Sequence, residues 1–398
     1  MPFQDPRPSA AAASNFAALA GKVLWRRRSA ELAGRTAQRS LESRAAQARH
    51  ALELLLARAA ATPPTAPTLA ERRAFALAEE AVRLAATLPS PARAKLRNRI
   101  EAALSGDETL IPLFHLLRTA LLHRARGYDV AFTGLTDDTP WDLTIRSGDT
   151  IAEIACETVS AEDGRALHRG AWCRLVDRVN PELQTWLAAH PGRYVLKITL
   201  PEGLSGPEGL PALHRRIVDM LGAEKRADQS EDAILKLDPL MIGAAQAGAA
   251  LPRDLRAQFG PEAHLAVTAA PGGGGVFVMA ARAGRDNAIS DAVVRRMAAA
   301  APARLSGDRP GIMAVFLDEV ERSEWRHLRE RLELEGAVRR FLTETAARSV
   351  VAATCASRME LFGMAPPDAA PDGELRFRNP THPAAKRVEL AAAVSSSV

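Results

Sequence analysis

The chain changes its periodicity at Ser105–Gly106. Upstream, alanine, leucine and arginine dominate and favour helix. The linker Thr62–Pro67 (TPPTAP) interrupts them, and helices are expected over Asn15–Ala61, Leu69–Leu88 and Pro91–Leu104. Downstream, Thr109–Arg126 reads as one more helix, with Gly127 supplying its end. Three strand-like runs follow, Asp129–Thr133, Trp141–Arg146 and Thr150–Val159, the last two joined by a Ser147–Gly148–Asp149 turn. Arg165–Val179 then alternates as an amphipathic helix, with a further helical piece to Ala189 beyond Pro181. A strand, Arg193–Leu200, closes the series. A helix–strand–strand–strand–helix–strand order within about a hundred residues is expected to make one mixed sheet with helices on it.

The rest of the chain reads as further α/β elements. Helices are expected at Leu210–Lys225, Asn287–Ala300 and Ser323–Ala347, the last N-capped by Ser323. Strands are expected at Ala233–Leu237, His264–Ala269, Val276–Ala280, Ile312–Leu317 and Ser349–Cys355. The Gly272–Gly275 run lies between two strands and opens no helix, so it reads as a hairpin turn and not as a phosphate cradle. The boundaries that follow are a disordered 1–12, a basic helical 13–105, an α/β core over 106–205 and a C-terminal α/β region over 206–398.

Composition narrows the function. Apolar residues at 47% and charged residues at 25% are those of a globular protein. The longest apolar runs are far too short to span a bilayer, so no membrane partner is expected. The N-terminus lacks the charged start and apolar stretch of a secretory signal, and Cys156, Cys173 and Cys355 have no metal-ligand spacing. A reducing, cytoplasmic setting is the expectation. No phosphate-loop, zinc-hydrolase or serine-hydrolase motif is present. Positive charge gathers at the N-terminus, where ten Lys/Arg stand against four acids between Met1 and Ala61. That segment, with Arg26, Arg27 and Arg28, could contact nucleic-acid phosphates, although charge alone favours a solvated Ala/Arg helix.

The chemistry concentrates in Trp141–Arg169. Strand alternation places Asp142 and Thr144 on one face of the first hairpin strand, and Glu153, Ala155 and Glu157 on one face of the second. If those faces coincide, Asp142, Glu153 and Glu157 converge, and repelling carboxylates need a cation between them. Hard oxygen ligands suit Mg²⁺. An edge hairpin with one face in water would explain the same pattern.

Together with Gly127–Tyr128–Asp129–Val130, Asp142 and the stretch ETVSAEDGRALHR, the element order resembles the PD-(D/E)XK nuclease superfamily. The resemblance covers about a quarter of the chain. It implies an α-β-β-β-α-β restriction-endonuclease-like core in an α/β protein, and Mg²⁺-dependent cleavage of nucleic acid. Under it Asp142 takes the metal-binding aspartate's place, Ala155 the second acid's and Glu157 the lysine's. Glu157 cannot donate the lysine's positive charge. Either Glu153 replaces the missing acid while Arg165, His168 or Arg169 supply the cation from one helical face, or the site is degenerate. In the second case the fold is kept as a catalytically inactive scaffold for nucleic-acid binding or protein interaction.

Overall fold

The computed structural model describes residues 11–240, 255, 258–260, 262–270 and 274–397. The expectation of disorder over the first dozen residues falls outside these, apart from Ala11 and Ala12. In chain order the strands are β1 Asp129–Ala131, β2 Leu143–Ser147, β3 Thr150–Ser160, β4 Arg193–Leu200, β5 Ala227–Gln229, β6 Ile234–Pro239, β7 His264–Ala269, β8 Val276–Ala283, β9 Gly311–Asp318, β10 Val350–Ser357 and β11 Leu375–Arg378. The helices used below are α1 Ala12–Leu19, α2 Lys22–Thr36, α3 Leu41–Arg49, α4 Ala51–Ala61, α5 Leu69–Thr87, α6 Ser90–Ala103 and α7 Ile111–Ala125. They continue as α8 Arg169–Ala189, α9 Leu210–Gly222, α10 Ile289–Arg304, α11 Arg322–Glu330 and α12 Glu333–Phe341.

Two mixed sheets divide the chain into two compact units. The first unit comprises Met1–Arg35, Gln47–Asp163 and Ser290–Val398, and the second Thr36–Ala46 and Gly164–Ile289. The sequence-based boundaries differ from this. The stretch 106–205 is split between the units, and so is 206–398. The second unit interrupts the first in sequence, so strands that are far apart along the chain become neighbours.

In the first unit the sheet order is β1-β2-β3-β9-β10-β11. β1, β2 and β3 form an antiparallel meander, β3 and β9 pair in parallel from Glu153↔Gly311 to Ser160↔Asp318, and β10 continues the parallel set. β9 and β10 are buried at every position, which suits the unbroken apolar runs Ile312–Leu317 and Val350–Ala353. Parallel strands covered on both faces read this way and not as an alternation. One face of the sheet presents Leu143, Ile145, Ala152, Ile154, Ile312, Ala314 and Phe316 to α7, most of whose residues are buried. Phe16 of α1 stands edge-on to both Phe114 of α7 and Trp25 of α2, fixing the N-terminal helices to this core. The opposite face carries Glu153, Ala155 and Glu157, and α10 covers it.

The second unit has its own sheet, β5-β6-β4-β8-β7, with β4 parallel to β8 and the other pairs antiparallel. Helices α8 and α9 cover it through Leu175, Val179, Leu183, Ile217 and Met220. Here lies the main correction to the sequence reading. The helix and strand expected to complete the β1–β3 sheet, now α8 and β4, belong to the second unit. In the first unit their places in a helix–strand–strand–strand–helix–strand order are taken by α10 and β9. β7 and β8 form the expected hairpin; Gly272 and Gly273, half of the glycine run joining them, lie outside the described residues.

Smaller differences have local causes. The expected Asn15–Ala61 helix is four helices, α1 to α4. The expected Ser323–Ala347 helix breaks where Leu332 takes a φ of 57°, and its N-cap is Glu321, whose carboxylate and that of Glu324 form a reciprocal cap. Leu332 is exposed and does not face the sheet, whereas Leu328 and Leu334 are buried. Helix α8 runs through Pro181 without ending.

Candidate functional site

Asp142 immediately precedes β2, where its N–H donates to Ile154 O (2.9 Å) and continues the β2–β3 ladder. Extending the register by one residue sets Asp142 opposite Ala155, two residues before Glu157 on the same face of β3. Both acids are buried, Asp142 6% and Glu157 4% exposed, so neither lies in water as an edge hairpin would leave it. A carboxylate removed from water this far needs a cation or a full set of donors.

Arg304, at the end of α10, supplies the cation. Its Nη2 donates to Asp142 Oδ2 (2.6 Å), its Nη1 to Glu157 Oε1 (2.6 Å), and its Nε to the carbonyl of Pro140. One guanidinium thus joins three oxygens. The outer oxygens are taken too. Arg99 of α6 donates to Asp142 Oδ1 (3.2 Å), Arg296 of α10 to Glu157 Oε2 (2.7 Å), and the Cys156 N–H also donates to Asp142 Oδ2 (2.9 Å). Burial and the neighbouring Asp142 carboxylate raise the Cys156 thiol well above its ordinary value, so it is a packed thiol and not a nucleophile.

Glu153 shares the β3 face but not the cluster. Its oxygens accept from Ser306 N (2.9 Å) and Ser306 Oγ (2.7 Å), pinning the turn between α10 and β9. Four residues of strand separate Glu153 from Glu157, a distance of about 13 Å at ~3.3 Å per residue. That spacing explains why alternation put them on one face without bringing them together. Among the described residues, no three His, Cys, Asp or Glu side chains gather as a group that could hold a metal. Asp142, Glu153 and Glu157 therefore do not fit Mg²⁺: their oxygens are engaged by guanidinium groups, a backbone amide and a serine.

The basic residues expected beside these acids fall in the other unit. Arg165, His168 and Arg169 belong to the second unit, whereas Asp142 and Glu157 belong to the first. The three do not share a helical face. Leu167 bridges to Leu204, holding Ala166–His168 extended, and α8 begins only at Arg169 with His168 as its N-cap. Gly203 makes this contact available. Its φ is 80°, and a Cβ there would lie 2.0 Å from Ala166 O. Arg165 is buried, Trp172 is buried in the α8 core, and Trp186 packs there while donating to Leu221 O (3.1 Å).

The N-terminal arginines also separate. Arg26 and Arg27 are exposed on α2. Arg28 is 2% exposed and donates to Gly106 O (2.8 Å), Glu108 O (2.9 Å) and Glu31 Oε1 (3.0 Å), with His50 Nδ1 at 3.5 Å. It ties α2 to the Ser105–Thr109 loop and is not a phosphate contact. Arg28→Ala strands two carbonyls and is expected to cost about 3 kcal/mol in urea denaturation, against less than ~0.5 for Arg27→Ala. Equal effects would refute the assignment.

Sequence reasoning missed Arg304, Arg296, Arg99 and Ser306. Buried acids on a strand demand cations, but nothing local says that they arrive from α6 and α10. The fold and the cluster define a two-unit mixed α/β protein with an arginine-locked acidic pair. Among the described residues no helix is long and apolar enough to cross a membrane. Compared with known proteins, the chain matches no family model, no curated protein and no solved structure.

Proposed function

We propose that this chain is a non-catalytic binding protein built on a nuclease-type core, with nucleic acid as its partner. Supporting the fold half is the α-β-β-β-α-β order of α7, β1, β2, β3, α10 and β9, with the second unit inserted before α10. The observation that carries the functional half is Arg304. It sits between the two acids where nuclease chemistry would need a divalent cation and a water, and a guanidinium can neither activate water nor leave room for it. Arg99 and Arg296, 42% and 55% exposed, add positive charge around the pair, and Arg26 and Arg27 present more on α2.

The test has two readings on the whole chain. Plasmid, linear duplex, single-stranded DNA and RNA are each incubated with Mg²⁺ or Mn²⁺, using wild type and Asp142→Ala. No product is expected from either; cleavage by wild type that Asp142→Ala abolishes would overturn the proposal. Binding is then titrated against salt. A steep negative slope of log affinity on log salt is expected, because neutralised phosphates release counterions. A flat slope would remove nucleic acid as the partner.

A further inference from the structure

The loop from Gly363 to Gly373 in the first unit closes over a second set of arginines that the acidic pair does not involve. Gly363 has a φ of 74°, and a Cβ there would meet Arg73 Nε at 2.3 Å. Gly373 has a φ of 80°, and its carbonyl accepts from Arg118 Nη2. Arg329 donates to Pro367 O between them. Glu360 lies among the three guanidinium groups. Its carbonyl accepts from Arg73 Nη1 (3.1 Å), its Oε1 is 4.0 Å from Arg329 Nη1, and its charge acts on Arg118.

These guanidinium groups are incompletely met. Arg73 Nε, Arg118 Nη1 and Arg329 Nη1 are closed off from solvent and have no hydrogen-bond partner among the described residues. Arg118 is 9% exposed and, among the described residues, makes no ion pair within 4.0 Å; the charges of Glu374 and Glu360 act on it only from farther away. The nearby carboxylates are engaged. Glu360 already accepts from Trp325 Nε1 (3.0 Å), Ala370 N (2.7 Å), Ser357 N (2.7 Å) and Ser357 Oγ (2.7 Å). Glu374 is held by Arg126 (2.7 Å), and Asp372 by Arg376 (2.9 Å). Asp368, in the same loop, is taken by Arg326 and Arg322, so among the described residues Arg73 and Arg118 have no carboxylate within 4.0 Å and Arg329 reaches one only at that distance. An arginine does not shed its proton, so buried excess charge of this kind calls for a counter-ion.

We infer that Arg73, Arg118 and Arg329 form a binding site for a small inorganic anion beneath the Gly363–Gly373 loop. The donors are planar N–H groups from three elements, α5, α7 and α11, so a bound anion would fasten these helices to the loop. The site is independent of the nuclease-type reading and of the Asp142–Glu157 pair.

Thermal unfolding of the full chain is followed in phosphate or chloride, each titrated against a bulky organic anion at constant ionic strength. A saturable rise in midpoint is expected, reaching a few degrees at about a hundredfold excess over Kd. Saturation by phosphate alone identifies an oxyanion, and saturation by chloride a halide; both support the site. Arg118→Gln should abolish the rise. If that variant does not fold, Arg329→Gln, whose side chain is 14% exposed, should weaken the half-saturation point at least tenfold. A rise that grows linearly without saturating, or is equal in wild type and Arg329→Gln, is general salt stabilisation and overturns the inference.

Discussion

Replacing Arg304 with methionine is expected to destabilise the first unit by about 2–3 kcal/mol at neutral pH. The figure sits below that for a fully buried pair because the Arg304 side chain is 30% exposed and partly screened. Loss of the guanidinium leaves Asp142 and Glu157 facing each other over Ala155, each with one remaining arginine, Arg99 or Arg296. Their mutual repulsion is then unrelieved. Arg304→Lys keeps a charge but not the fork that reaches both acids, so it should recover only part of the loss. Arg296→Ala removes a more exposed partner, with an expected cost under ~1 kcal/mol. The triple change Asp142→Asn, Glu157→Gln, Arg304→Met removes repulsion and unpaired charge together, and should be more stable than Arg304→Met alone. Urea midpoints of the four variants decide this. An Arg304→Met protein as stable as wild type would mean that the guanidinium does not hold the pair.

What the sequence made legible was local. Gly127 does end α7, with a φ of 89°, and Gly148 turns the β2–β3 hairpin with a φ of 55°. The apolar run at Ile312–Leu317 is a strand because covered parallel strands need no polar face. What it could not supply was partnership. Arg193–Leu200 and Gly311–Asp318 are both good strands, and nothing in either stretch says which pairs with β3. The nearer one is the expected partner, since sequential strands are usually neighbours. The inserted second unit defeats that rule by carrying β4 away and delivering β9 about 150 residues after β3. The site failed for the same reason. Strand parity correctly put Glu153 and Glu157 on one face, but it measures direction and not distance. The cation comes not from the next helix along the chain but from Arg304, 162 residues from Asp142. Leu332 in the left-handed region has no sequence signal at all, because leucine seldom adopts it.

Acid should unfold this protein through histidines before its carboxylates titrate. Burial depresses both His115 and His123 to about 4. For His115 the hydrogen bond to Ala314 O (2.9 Å) works the other way, and Arg118 adds to the depression. The Nδ1 of each ring is buried without a partner among the described residues, and His123 packs edge-on to Tyr128. Unfolded, the rings take up protons near 6.5, while in the folded protein they stay neutral until about 4. Between those limits the unfolded state binds more protons, so stability is full above 6.5 and falls as pH drops toward 4. Each ring accounts for on the order of 3 kcal/mol across that window. The two together are comparable with the whole stability of an ordinary domain, about 5–15 kcal/mol. The carboxylates act later. Arg126, His123 and Arg118 outweigh burial and hold Glu374 below its usual range, and a bond from Ser160 together with Arg49 does the same for Glu319. The stability those two acids contribute is present above the ordinary carboxylate value and lost only below it. Urea midpoints measured from pH 7.5 downward should therefore begin to fall near 6.5. His50 is depressed to about 4 as well, by burial and by Arg28. His123→Phe, which keeps a ring against Tyr128, therefore removes one of three such titrations, and its curve should be flatter through that window by about a third of the histidine contribution. A midpoint that holds steady down to the carboxylate range, or a His123→Phe curve parallel to wild type, would show that neither ring is a buried neutral group.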